Sequence, residues 1–231
     1  MTAQAGSASS ASTPAALPAL QQLRRQMRQR RRSLDPAARA EAHRQFARIL
    51  DRMLLLRPGR HVAVYLACGH EADLRHVIEV ARRRGCLLYL PVITHYRHAR
   101  MRFVRYGTDS ALRENRYGIA EPEHRRDAVV PMRRLDLVLL PLVAFDEHGW
   151  RLGSGAGFYD RSLHHLREGR RWRRPKLVGV AYECQRVASL QPQRWDVPLD
   201  AVVTERGLQR FTRARGSIRR DTASVPAALR M

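Results

Sequence analysis

The chain has 231 residues, a formal net charge of +22 and 44% hydrophobic residues. That length allows one domain, or two small ones, with a real core, since a chain of this size hides roughly 70–75% of its unfolded surface. No run approaches the ~20 apolar residues that cross a bilayer, and the three widely spaced cysteines, Cys68, Cys86 and Cys184, form no Cys-x-x-Cys pair, which argues against both a disulfide framework and a thiolate zinc site.

Residues 1–18 are almost entirely Ala, Ser, Thr, Pro and Gly without a charge, a composition that predicts a disordered tail. It has neither the basic start nor the apolar stretch of a secretory signal. The Ser-rich, acid-free start running into the arginines of 24–32 has some presequence character, but the expected location is cytoplasmic. From Leu20 a helical pattern sets in, with Leu23 and Met27 on the same face, until Asp35 as N-cap and Pro36 at N1 open a second helix. Phe46, Ile49, Leu50, Met53 and Leu54 are expected on its inner face, with a stop near Pro58 and Gly59.

An apolar run at 61–67 reads as the first strand. It is followed by a helix with Leu74, Val77, Ile78 and Ala81 inward, a stop at Gly85 and a second strand at 86–93, which together make a βαβ unit. Residues 101–106 alternate like a half-buried strand, 135–145 read as one long buried strand and 177–181 as the next. A helical stretch begins after Phe158, short closing strands are expected at 201–204 and 208–211, and 212–231 form a basic tail. Strands alternating with helices predict a largely parallel sheet covered on both faces, in one domain over 19–211.

The charge raises the question of nucleic acid, because Lys and Arg neutralise phosphates and release counterions. Lys176 is the only lysine beside 42 arginines, a bias that G- and C-rich coding produces unselectively, and the arginines are scattered along the chain. A solvated arginine-rich surface is therefore the preferred reading. A nucleic-acid-binding or other phosphate-handling protein on the same scaffold remains the alternative, and it predicts clustering of the bases.

The segment 145–161 follows the long strand and opens the next helix, the position at which open α/β sheets bind ligands. Gly153, Gly155 and Gly157 remove side chains at alternate positions, so backbone amides can close on a phosphate beside a helix start. Arg151 and Asp160 bracket the glycines. One can fork onto phosphate oxygens and the other can hold a hard divalent cation. Read without further context, Asp160 serves equally as a helix cap or ion-pair partner, and Asp196 as the initiator of a turn.

The run Arg-Leu-Gly-x-Gly-x-Gly-aromatic-Tyr-Asp-Arg, preceded by Pro-x-x-Ala-Phe-Asp-x-x-Gly, resembles the signature of the 5-formyltetrahydrofolate cyclo-ligase (methenyltetrahydrofolate synthetase) family. The resemblance extends to Leu23 and Arg24, to Tyr65 and Leu66 with Glu71 and Asp73, to 117–122, and to 196–200 with Thr204 and Glu205. It implies a three-layer α/β/α fold like that of sugar-phosphate isomerases and CoA transferases. It also implies a magnesium-dependent ligase that uses ATP to cyclise 5-formyltetrahydrofolate, a small-molecule substrate; the chain's own composition argues against a membrane partner and disfavours nucleic acid. On this basis Arg24, Arg151, Gly153, Ser154, Gly155, Ala156, Gly157, Phe158 and Tyr159 would contact ATP, with Arg151 catalytic. Leu66, Glu71 and Tyr117, with 154–158, would line the folate pocket, and Asp160 and Asp196 would hold Mg2+. Leu20, Ser154, Ala156, Phe158 and Trp195 depart from the residues usual in the family.

Overall fold

A computed structural model describes residues 16–95, 100–116, 118–123, 128–163, 175–193 and 195–212. Two helices come first, α1 (Ala16–Arg32) and α2 (Pro36–Arg52). α1 begins inside the expected tail, so 16–18 are helical; Pro18 is tolerated there because first-turn amides have no intrahelical partner. The rest of 1–18, and the basic tail beyond Thr212, lie outside the described residues. α2 starts as its sequence predicts, with the Asp35 carboxylate accepting from the Ala38 amide at 2.9 Å and Pro36 in the first turn.

Its end differs from the expectation. The helix stops at Arg52, and Met53 and Leu54 are 43% and 57% exposed, while Leu55 and Leu56 are buried instead. The Leu54 amide donates to Asp51 O and the Leu55 amide to Leu50 O, the bonding of a Schellman cap, with Leu54 at φ 53° where glycine is usual. The cap turns the chain and moves the inward side by one residue pair.

The sheet strands are β1 (His61–Ala63), β2 (Leu87–His95), β3 (Arg100–Arg105), β6 (Val129–Val130), β7 (Leu137–Pro141), β10 (Lys176–Val180), β11 (Ala201–Thr204) and β12 (Gly207–Arg210). They lie in the order β12-β11-β10-β7-β1-β2-β3-β6. The five from β11 to β2 are parallel, with antiparallel strands outside them on both edges. Two hairpins stand apart: β4 (Leu112–Glu114) with β5 (Ala120–Pro122), and β8 (Ala144–Phe145) with β9 (Arg151–Leu152). α3 (Arg75–Arg83) joins β1 to β2, and α4 (Phe158–Leu163) follows β9.

Alternation along the central strands supplies two buried layers. Val62, Leu88, Leu137, Leu139 and Val178 face α2 and α3, whereas Ala63, Tyr89, Val138, Leu140 and Leu177 face Leu163 of α4 and the segments holding Met132, Val197 and Leu199. This is the expected three-layer arrangement. The strand expected at 61–67 ends at Ala63, and the one expected at 135–145 is divided into β7 and β8. The division is held by Gln185, fully buried, whose amide donates to Leu142 O at 2.7 Å and Val143 O at 3.1 Å, drawing those carbonyls out of any ladder.

Candidate active site

Along the sheet the chain moves one way from β1 to β2 and the other way from β7 to β10, so the carboxyl ends of β1 and β7 flank a topological switch point. Open α/β sheets bind ligands at such a crevice. Here the β8–β9 hairpin stands over it. Asp146, fully buried, organises the hairpin turn: one carboxylate oxygen accepts from the amides of His148 (3.0 Å) and Trp150 (2.9 Å), the other from Leu190 (2.9 Å). Gly149 is required in that turn by φ 85° and because a Cβ there would lie 2.8 Å from the Phe211 ring.

α1 docks on this hairpin. Its apolar stripe of Leu20, Leu23 and Met27 packs with Val143, Leu152 and Leu190. The neighbouring row of the same helix then meets the glycine loop, Arg24 Nε donating to Gly153 O at 3.0 Å and Arg28 Nη2 to Ser154 O at 3.2 Å. With two loop carbonyls held this way, the backbone amides of residues 153–157 make no hydrogen bond among the described residues. A Cβ at Gly153 would meet nothing within 4 Å, so the space over the loop is open.

The loop is the common wall of two cavities. One, of about 370 Å³, is mainly apolar, and its polar lining includes Glu71, Asn115, Glu121 and Tyr159. Leu66, Ser154, Ala156 and Phe158 line it too. Burial raises the Glu71 carboxyl above its ordinary value, opposed by the Cys68 amide, which donates to it at 3.1 Å, and by Arg31 and Arg28. Burial also pushes up the phenols of Tyr65 and Tyr159; Tyr65 donates to Ala72 O at 2.8 Å.

The second cavity, of about 390 Å³, is bordered by Leu20, Arg24, Gly155, Gly157, Arg161, Trp195 and both Asp160 and Asp196. Burial and the nearby Arg28 lower the pKa of Arg24, from a value high enough to keep it charged at neutral pH. Asp196 accepts from the Gln193 amide at 2.8 Å, shaping the turn that presents Val197 O to Arg151.

Of the readings open for Asp160 in the sequence, the ion pair is the one observed, with Arg151 as its partner. Arg151, with only 4% of its side chain exposed, donates one arm to Val197 O and the other to the Asp160 carboxylate. The two residues thus hold each other across the glycine loop and both border both cavities. Tyr117 lies outside the described residues. Asn115 and Glu121 carried no site role in the sequence: the Glu121 carboxylate accepts from the Ile93 amide (3.1 Å) and the Asn115 side chain (2.8 Å) at the cavity edge. Glu121 lies inside the motif at 117–122, and the signal that marks it is an acid within a short apolar hairpin strand.

A model of the 5-formyltetrahydrofolate cyclo-ligase family matches residues 17–205. The chain is 42% identical over 180 residues to the 5-formyltetrahydrofolate cyclo-ligase of Escherichia coli K12, covering 76% of this chain and 94% of that one. It is 37% identical over 145 residues to that of Haemophilus influenzae, covering 62% and 74% respectively. An NMR structure of Aquifex aeolicus 5,10-methenyltetrahydrofolate synthetase superposes with a TM-score of 0.70 at 26% identity, covering 89% of this chain and 99% of that one. A match of this length, in sequence and in fold, assigns the chain to the 5-formyltetrahydrofolate cyclo-ligase family of ligases.

Proposed function

We propose that the chain converts 5-formyltetrahydrofolate to 5,10-methenyltetrahydrofolate at the expense of ATP, with release of ADP and phosphate. The observation that carries this reading is the glycine loop, whose five amides are unpaired among the described residues, as the shared wall of an apolar cavity and a charged one. Such a wall suits transfer of a group between two ligands, because positioning and charge neutralisation dominate phosphoryl transfer.

The folate ring occupies the apolar cavity, where Glu71 accepts from pterin N–H groups and Leu66 packs on the ring. ATP lies on the other side, its phosphates against the amides of 153–157, with Arg24 beside them. The formyl oxygen takes the terminal phosphoryl group and ADP leaves; N10 then attacks the formyl carbon and gives up its proton, the C–O bond breaks and phosphate departs, carrying the formyl oxygen, as the ring closes. Arg151 holds Asp160 in place and stabilises the charge that develops at the loop.

Asp160 and Asp196 border the ATP-side cavity, and one or two carboxylates completed by phosphate oxygens are the usual protein share of a magnesium site. Bound there, magnesium would neutralise charge on the transferring phosphoryl group. A set of three or more His, Cys, Asp or Glu ligands, which a cation held by protein alone requires, is not present among the described residues.

The test is the near-ultraviolet absorbance of methenyltetrahydrofolate on mixing the protein with 5-formyltetrahydrofolate, ATP and magnesium, omitting each in turn. A signal that needs all three is expected. Turnover without ATP, or none from folded protein, would sink the proposal.

A further inference from the structure

Six of the 43 lysines and arginines, far apart in the sequence, come together at the end of the sheet opposite the active site. Parallel strands start at one end, and this chain places a base before or at the start of several of them. Arg57 and Arg60 precede β1, Arg133 and Arg134 precede β7, and Lys176 opens β10. β12 runs antiparallel to β11, so Arg210 arrives at the same end.

Two cavities there, of about 370 and 570 Å³, share Arg57 and Arg60. Among the described residues they are lined together by those six cations and by two acids, Asp136 and Asp200. Each acid accepts from a backbone amide, Asp136 from His61 at 3.0 Å and Asp200 from Leu177 at 2.8 Å. The apolar cavity at the other end has the opposite balance, with Glu71, Glu121 and Asp160 against Arg151.

We propose that this end of the sheet is a binding site for the phosphate backbone of a nucleic-acid duplex. Three features favour that partner. The row of cations is linear: four strand spacings of ~4.8 Å separate β12 from β1, about 19 Å, or five to six base-pair steps of ~3.4 Å. Among the described residues neither cavity is lined by Phe, Tyr or Trp, the side chains on which single strands stack. Five of the six cations are arginines, whose fork suits phosphate oxygens, and Lys176 adds a point charge. The site is independent of the cyclo-ligase reading.

The test uses the full chain and ~20-base-pair labelled RNA and DNA duplexes in fluorescence anisotropy. One variant carries Arg57→Glu, Arg133→Glu and Lys176→Glu; a charge-matched control carries Arg25→Glu, Arg32→Glu and Arg113→Glu, all exposed elsewhere. The site variant is expected to bind at least ~10-fold more weakly. Its slope of log K against log salt should flatten by roughly 0.9 for each phosphate that is no longer neutralised, with the control close to wild type. Because Lys176 is the only lysine, amine acylation read by mass spectrometry gives a second measure, and duplex should protect it. Equal weakening in both variants would reduce the effect to diffuse charge and overturn the site. Protection by anionic lipid vesicles that is lost in Leu54→Asp, without protection by duplex, would assign the surface to a membrane instead.

Discussion

Leu54 shows what one residue can hide. Helical periodicity carries the apolar stripe of α2 through Met53 and Leu54, and a leucine in the glycine position of a Schellman cap gives no stop signal. A left-handed residue with a Cβ costs roughly 1–2 kcal/mol, and glycine gives back ~0.4–1 kcal/mol as unfolded-state entropy. Leu54, 57% exposed, has little packing to lose. Leu54→Gly is therefore expected to stabilise the protein by about 0.5–1 kcal/mol in urea unfolding, with an unchanged m-value. Glu71 yields a prediction of the opposite kind. Burial raises its carboxyl above the usual 4.5, so the fold favours the protonated form, and the charged form accumulates only as pH rises through that raised value. Its contribution to stability is thus present at low pH and lost above the raised pKa, whereas an acceptor for pterin N–H groups is needed charged. Affinity for 5-formyltetrahydrofolate should fall on acidification from above the ordinary carboxylate range. In Glu71→Gln it should be weaker and flat with pH; a wild-type profile in that variant would remove Glu71 from the pocket.

At the scale of elements, the glycine loop is set by two neighbours, the β8–β9 hairpin behind it and α1 across it. The order of these elements was legible: the capped second helix, the βαβ unit, the closing strands and the glycine segment after a buried strand all follow from local pattern. What was not legible depended on contacts distant in sequence. Nothing in an unbroken apolar run shows that Gln185 takes the carbonyls of Leu142 and Val143 and so divides the strand. Nor does a spacing of nine residues show that Arg151 and Asp160 meet, since the loop between them turns back. That meeting alters how a mutation must be read. Asp160→Ala strands a nearly buried guanidinium, and removing one partner of such a pair costs ~3–5 kcal/mol, discounted here to about 3 because Asp160 is 28% exposed. In a chain of this size that is roughly 6–12 °C in Tm. Asp160→Asn keeps an oxygen for Arg151 and should melt within a few degrees of wild type while losing the magnesium-dependent turnover. Equal melting of the two variants would show that the pair contributes no stability.

For the whole molecule, the sheet places the two loop-walled cavities at one end and a row of cations at the other, and the two cavities share Arg151, Gly153, Ala156 and Asp160 as their common wall. A wall of that kind cannot be ordered for one ligand without being ordered for the other. Arg24 and Arg28 already hold two of its carbonyls, and the remaining freedom lies in amides that a phosphate would fix. Once a nucleotide has paid that ordering cost, folate binds to a wall already formed, which is positive coupling between sites without a large change of shape. Couplings between sites commonly amount to 1–3 kcal/mol, so a non-hydrolysable ATP analogue is expected to tighten 5-formyltetrahydrofolate about tenfold, close to 1.4 kcal/mol. Linkage requires the folate to tighten the analogue by the same factor, which calorimetry in both orders checks. Arg24→Ala releases the Gly153 carbonyl from α1. It should weaken the analogue by about tenfold, the range for a lost hydrogen bond to a charged group, and raise the coupling, because more ordering is then left for the first ligand to supply. Coupling that is absent in wild type would mean that the loop is rigid before either ligand arrives.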